Sequence, residues 1–379
     1  MIVGIDASRI AREDKTGTEN YSANIIKALA QVDRKNHYVL YFNKIPRFFE
    51  IGQTNFSTRV LPATRFWTQG RLAFECFLRP PDILFVPAHT IPVIRRPILK
   101  TVVTVHDLGA QFLAEYHQYP QKIYLNWSTE YVAKFATHLI SISKSTKKDL
   151  MSTLKVPGKK ISVVYEGVDR GVFYPRTKEE IERVKVKYGL TKRYFIYVGT
   201  IQPRKNLVRL ITAFARAKLR ETDLVLVGSQ GWLTDEINAA PKKFSVSNHV
   251  RFLGYVDNED LPTLYSGALG LTFPSLYEGF GLPILEAFAC DCPVLTSETG
   301  ATAEIAQTAA FLVDPLDTEA IAKGIKKLAT DRALRAELRK KGRERTVGFS
   351  WEKTAEQTIK VFEKVYRNNV KGQIPNAKR

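Results

Sequence analysis

Short runs of consecutive apolar residues recur along this chain, separated by longer stretches whose apolar positions return with helical period. Apolar runs without alternation are what strands show when helices cover both faces of a parallel sheet. The runs at 2–5, 38–42, 59–61, 83–86, 101–105, 139–142 and 161–165 predict one set of strands. Those at 194–198, 224–227, 250–253, 269–273, 294–296 and 311–313 predict a second. Between the sets the alternation lapses after Val168-Asp169, through Gly171 and Pro175, and a charged helical stretch at 178–188 precedes its return. The predicted fold class is therefore α/β, with Rossmann-like α/β/α domains at 1–170 and 171–350. The amphipathic run from Trp351 predicts a helix over 351–370 that packs back on the N-terminal domain, and 371–379 reads as a flexible tail.

A chain of 379 residues exceeds what one hydrophobic core usually supports, which agrees with two domains. The 44% hydrophobic and 25% charged residues are those of a globular protein. No run approaches the roughly 18 apolar residues of a spanning helix, and Met1 to Asp6 opens as a strand without a charged leader, so a cytoplasmic location is expected. Cys76, Cys290 and Cys292 are odd in number and lack ligand spacing, which predicts buried fillers without disulfide or zinc.

The net charge of +19 implies attraction to phosphate, anionic lipid or nucleic acid. Residues 1–170 carry 24 basic against 14 acidic residues and the remainder 33 against 24, so the excess is dispersed at +10 and +9. Without zinc-finger spacing, an aromatic RNA-binding motif or a basic zipper, no nucleic-acid partner is expected. A nicotinamide oxidoreductase is disfavoured as well, because Gly4-Ile5-Asp6-Ala7-Ser8-Arg9 has no G-x-G-x-x-G after the first strand.

The most informative stretch is Pro274 to Leu295, PSLYEGFGLPILEAFACDCPVL. It leaves a strand, crosses Glu278-Gly279-Phe280-Gly281, and enters a helix near Pro283, in the first turn that tolerates proline. Two glycines allow close backbone approach, and a helix start favours the negative charge of a phosphate. Glu278 and Glu286 flank this loop, where carboxylates can accept hydrogen bonds from vicinal hydroxyls. Upstream, Gln202-Pro203-Arg204-Lys205-Asn206 sets two adjacent cations at the end of a strand.

These motifs resemble glycosyltransferase family four, whose retaining members share the GT-B architecture of two Rossmann-like domains facing across a cleft. The resemblance implies that Glu278 contacts the transferred sugar and Glu286 the ribose. Phe280, Gly281 and Leu282, with Gly279 in the same turn, would offer backbone groups, and Arg204 and Lys205 would grip the donor diphosphate. It further implies that Tyr255 and Val256 lie beside the base. Gly17, in Lys15-Thr16-Gly17-Thr18, would approach the donor phosphate, while His106 and Asp107 serve the acceptor side, His106 near the sugar. His106, Glu278, Arg204 and Lys205 are the expected catalytic set. The segments at 140–145 and 164–169 are assigned to the hinge and cleft floor. Departures are Asp291, where many relatives carry glycine, and Ala303, where they carry proline.

The implied reaction moves a hexose, mannose or glucose, from a GDP- or UDP-linked donor to a sugar, glycolipid or polysaccharide-precursor hydroxyl. A nucleoside diphosphate leaves without a carboxylic acid to protonate it, so Glu278 and Glu286 do not read as a glycosidase pair. No metal or other cofactor is expected, since two cations and a helix start can hold the departing charge. Alternatives on the same fold are a nucleotide-sugar epimerase and a phosphorylase. Lastly, the aromatic and basic residues from Arg65 to Arg79 suit either peripheral contact with an anionic membrane or a core-facing helix.

Overall fold

The computed structural model describes residues 1–11, 17–46, 49–63, 65–88, 90–112 and 121–372. The described chain forms two compact units, one of residues 1–112, 121–167 and 351–372, the other of Val168–Ser350.

The first unit holds β1 (Ile2–Asp6), β2 (His37–Phe42), β3 (Phe56–Val60), β4 (Ile83–Val86), β5 (Lys100–Val105), β6 (His138–Ser141) and β7 (Ile161–Val163). They form one sheet in the order β3-β2-β1-β4-β5-β6-β7, with every pairing parallel. The second unit holds β8 (Arg193–Val198), β9 (Thr222–Val227), β10 (Val250–Gly254), β11 (Gly270–Phe273), β12 (Val294–Ser297) and β13 (Phe311–Val313). Its parallel order is β10-β9-β8-β11-β12-β13. In each sheet the strand order reverses beside the first strand, at β1/β4 and at β8/β11, and ligands of open α/β sheets gather at such switch points.

The apolar runs are legible as strands because helices bury them on both faces; all of β4 and β9 is buried. β3 is the exception. It begins at Phe56, ahead of the 59–61 expected from sequence, because Ser57 and Thr58 are exposed on a sheet edge and need no apolar character. β7 ends at Val163, although the Val164 amide still reaches the Ser141 carbonyl at 3.0 Å.

Within the first unit, the helix Trp351–Gly372 packs on the helix Gly17–Val32 and on β5. Phe362 meets Phe85 edge-on at 5.2 Å between ring centres, and the Thr354 hydroxyl donates to the Tyr165 carbonyl at 2.8 Å. The helix Lys178–Lys187 in the second unit starts with a reciprocal capping box between Thr177 and Glu180. All three cysteines are free thiols in the core. Among the described residues no helix is long and apolar enough to cross a membrane, and no cluster of His, Cys, Asp and Glu could hold a metal ion.

The segment from Arg65 has a buried side and an exposed side. A π-helical turn, Thr68–Leu72, runs into the helix Ala73–Leu78. Leu72, Ala73 and Cys76 face the core, while Phe74, Phe77 and Leu78 are exposed.

Candidate active site

β8 and β11 flank the switch point of the second sheet, and the loops leaving their C-terminal ends carry the acidic and basic residues singled out in the sequence. After β8 the chain passes Gly199, which lies against Gly228 at the end of β9. A Cβ on Gly228 would sit 2.1 Å from the Gly199 carbonyl oxygen, and its φ is +139°, so only glycine fits this crossing. The chain then makes a 3₁₀ turn at Pro203–Lys205 and reaches Asn206 in the left-handed conformation. The buried Asn206 amide donates to the carbonyls of Pro274 (2.9 Å) and Pro315 (2.7 Å). Backbone pairing adds a bond from the Leu276 amide to the Arg204 carbonyl at 3.0 Å. The basic turn is thereby fastened to the loop that carries Glu278.

Lys205 Nζ lies 2.5 Å from Glu278 Oε1, and Arg204 Nη1 lies 3.3 Å from Oε2. Arg204 also donates to the Tyr277 carbonyl at 3.1 Å, and the Lys205 ammonium sits 5.4 Å from the Phe273 ring centre. The Lys205 and Glu278 side chains are only 9% and 8% exposed. Burial alone would raise the Glu278 pKa, but the charges of Lys205 and Arg204 outweigh it and hold the carboxyl below its ordinary value. The three residues thus form a cluster of two cations and one carboxylate, in which Lys205 and Glu278 are largely buried and Arg204 is partly exposed.

Beyond it, Gly281 at φ +103° turns the chain into the helix Leu282–Ala289, with Pro283 in the first turn and no side chain capping the start. Phe280 is buried against Phe349, so only its backbone can face a ligand. Glu286 accepts a hydrogen bond from the Tyr265 hydroxyl at 2.9 Å, a partner that sequence spacing did not reveal. After β10 the two residues assigned to the base diverge: Tyr255 is exposed and Val256 buried. Next to this site, behind Pro203 and Leu276, is a cavity of about 640 Å³ that Arg204, Lys205 and Glu278 do not line.

In the first unit His106 follows β5. Its Nε2 is 2.8 Å from the Pro87 carbonyl, its Nδ1 is 3.5 Å from Glu166 Oε1, and the Tyr21 ring meets it edge-on at 4.8 Å. Burial would lower the His106 pKa, yet the Glu166 carboxylate and the Pro87 carbonyl bring it above its ordinary value. Both ring nitrogens face acceptors, as an imidazolium requires. Glu166 lies in the 164–169 segment, which the resemblance assigns to the hinge and cleft floor; its link to His106 arises only when the end of β7 is laid beside β5 and β6. Asp107 accepts from the Gly109 amide at 3.0 Å and so starts the short helix Gly109–Phe112. Gly17 is the exposed first residue of its helix, and a Cβ there would meet nothing within 4 Å. The preceding Lys15 and Thr16 lie outside the described residues.

Two parallel-sheet units, each in Rossmann order, with a basic and acidic cluster at a switch point, define a GT-B protein. The family described as Glycosyl transferases group 1 matches residues 178–345, and Glycosyltransferase Family 4 matches residues 15–172. O-antigen chain mannosyltransferase B of Escherichia coli is 32% identical over 267 residues, covering 69% of this chain and 70% of that protein. O-antigen chain mannosyltransferase RfbU of Salmonella typhimurium is 26% identical and covers 86% and 90%. Among solved structures, sucrose-phosphate synthase of Thermosynechococcus elongatus superposes with TM-score 0.77 at 21% identity, over 97% of this chain and 99% of that one. Anabaena HepE, solved with UDP and glucose, gives TM-score 0.73 at 17% identity, over 96% and 99%. The chain belongs to glycosyltransferase family 4, the group 1 glycosyl transferases, and is a glycosyltransferase.

Proposed function

We propose that this enzyme transfers a hexose, mannose in the first instance, from a GDP- or UDP-linked donor to a hydroxyl of a glycan or lipid-linked sugar, with retention of configuration. The observation that carries this reading is the cluster of Arg204, Lys205 and Glu278 at the β8/β11 switch point. Without donor, Glu278 pairs with both cations. An arriving diphosphate competes for them, since phosphate oxygens match guanidinium and ammonium donors well. Glu278 is then available to the hydroxyls of the transferred sugar, and Glu286 takes the ribose. The exposed Tyr255 and the backbone at Val256 border the base, and the backbone from Gly279 to Leu282 lines the phosphates. His106 and Asp107 serve the acceptor, with Glu166 positioning the His106 ring. Mannose is favoured because both curated relatives above are named mannosyltransferases.

Chemistry follows from charge placement. The acceptor oxygen bonds to the anomeric carbon on the face from which the diphosphate departs. The carbon–oxygen bond to phosphate breaks with its electron pair, and the departing oxygen takes the acceptor's proton. Arg204, Lys205 and the start of the helix Leu282–Ala289 stabilise the developing negative charge. These groups supply the stabilisation without calling on a metal.

The test incubates the purified enzyme with GDP-mannose, UDP-glucose and UDP-N-acetylglucosamine and an oligosaccharide acceptor, with chelator present, and reads the product by proton NMR. An α-linked product from one donor is expected. A β-linked product contradicts retention, activity restored only by added metal contradicts the charge assignment, and no transfer from any donor contradicts the whole reading.

A further inference from the structure

The first unit carries a continuous exposed face that its fold does not explain. Phe66 is 84% exposed, Phe74 61% and Ile94 72%. Phe77, Leu78, Val93 and Ile98 are exposed beside them. Hydrogen bonds and ring contacts tie together the segments that carry these residues. The Gln69 side chain accepts from the Val93 amide at 2.7 Å, joining the π-helical turn to the loop between β4 and β5. Arg96 from that loop lies 5.3 Å from the Phe77 ring centre. Neighbouring Arg95 donates to the Tyr131 hydroxyl at 2.9 Å and to the Phe135 carbonyl at 3.1 Å, which brings in the helix Gln121–Phe135. There Trp127, Tyr131 and Phe135, one turn apart, stack at 5.5 and 4.7 Å between ring centres, and Trp127 and Phe135 are exposed. Isolated apolar side chains on a surface are ordinary, but a connected set spread over three segments marks an interaction face.

Basic side chains outnumber acidic ones on this face, where Glu130 is the exposed acidic residue of the helix Gln121–Phe135. Arg65, Arg71 and Arg79 flank the aromatic side chains, and Lys134 lies 5.3 Å from the Phe135 ring centre. Glu75, the acidic residue of the Arg65 to Arg79 segment, is turned inward and bonded to Arg59, with its side chain 12% exposed. A second copy of the chain would fit poorly, because a two-fold contact sets the same arginines against one another. A surface that is apolar below and negative above fits well: aromatic rings enter the headgroup boundary while guanidinium groups meet lipid phosphates.

We infer that this face docks the enzyme on an anionic bilayer, with Phe66, Phe74 and Ile94 entering the interface and the arginines on its phosphates. The inference stands apart from the sugar chemistry, and its test keeps the two separate. Full-length enzyme is sedimented with vesicles of phosphatidylcholine, alone or mixed with phosphatidylglycerol, at low and high salt. The variant Phe74→Ser/Ile94→Ser, altered only at exposed positions, is run alongside, and transfer to a soluble acceptor and light scattering are recorded for both. Expected are binding to the anionic vesicles that salt weakens, partitioning reduced roughly tenfold in the variant, and unchanged transfer to the soluble acceptor. The inference is overturned by absence of binding at low salt, by equal binding to neutral vesicles, by a variant that binds as the parent does, or by a dimer that the variant dissociates.

Discussion

Glu278 and His106 show how neighbours overrule burial at single residues. Each sits where desolvation disfavours its charged form, and in each a partner favours that form: Lys205 and Arg204 for Glu278, Glu166 for His106. The signs of their pH dependence are opposite. The lowered Glu278 pKa gives stability that is present above the ordinary carboxylate range and lost as pH falls through the folded value. The raised His106 pKa gives stability that is present below its ordinary value of 6.5 and lost as pH rises through the folded value. An NMR titration should place His106 above 6.5, and in Glu166→Gln the value should fall, because burial then acts with less opposition. A His106 pKa that does not move in the variant removes Glu166 from the account. Cutting Glu278 or Lys205 back to alanine is not a clean probe of chemistry, since losing one partner of a buried pair costs about 3–5 kcal/mol. Isosteric changes are required. The residue types of this site were legible in the sequence, whereas Glu166 and Tyr265 were not, because neither is near its partner along the chain.

Elements were legible to the degree that burial writes itself into the sequence. β4, together with 194–198 in β8 and 224–227 in β9, reads as an unbroken apolar run, since helices cover both faces of these strands. β3 lies at an edge, where polar residues suffice, and its start was missed. The end of the helix Leu282–Ala289 shows a departure from the family that the structure accommodates. Asp291 takes φ +56°, the left-handed conformation that glycine adopts without strain. Its amide bonds the Phe288 carbonyl at 3.2 Å and that of Cys292 bonds Ala287 at 2.8 Å, the paired bonds of a glycine-type helix end. In partial compensation, Arg343 lies 2.6 Å from the Asp291 carboxylate, an exposed pair worth about 0.2–1 kcal/mol. Relief of the left-handed strain, roughly 1–2 kcal/mol, exceeds that. Asp291→Gly should therefore raise stability by about 1 kcal/mol in urea denaturation, and a loss of stability would show that the Arg343 pair dominates.

For the whole molecule, the strand orders place chemistry that no local pattern could. Arg204 and Lys205 meet Glu278 because β8 and β11 are neighbours at the switch point, although β9 and β10 intervene in the chain. Motif order in the sequence suggested that association, and the sheet supplies its cause. Donor identity was not legible, since a nucleotide base is held by shape and a few backbone groups that leave little trace in residue type. Nor was the full exposed face of the first unit, which is assembled from three distant segments. The central claim is that Glu278 acts on the sugar while Arg204 and Lys205 hold the diphosphate. Its most direct test is sugar transfer by Glu278→Gln at saturating donor, with nucleoside diphosphate affinity measured on the same sample. Transfer should fall roughly a hundredfold or more while that affinity stays within a few-fold of the parent; a glutamine variant that transfers sugar at the parent rate would contradict the account.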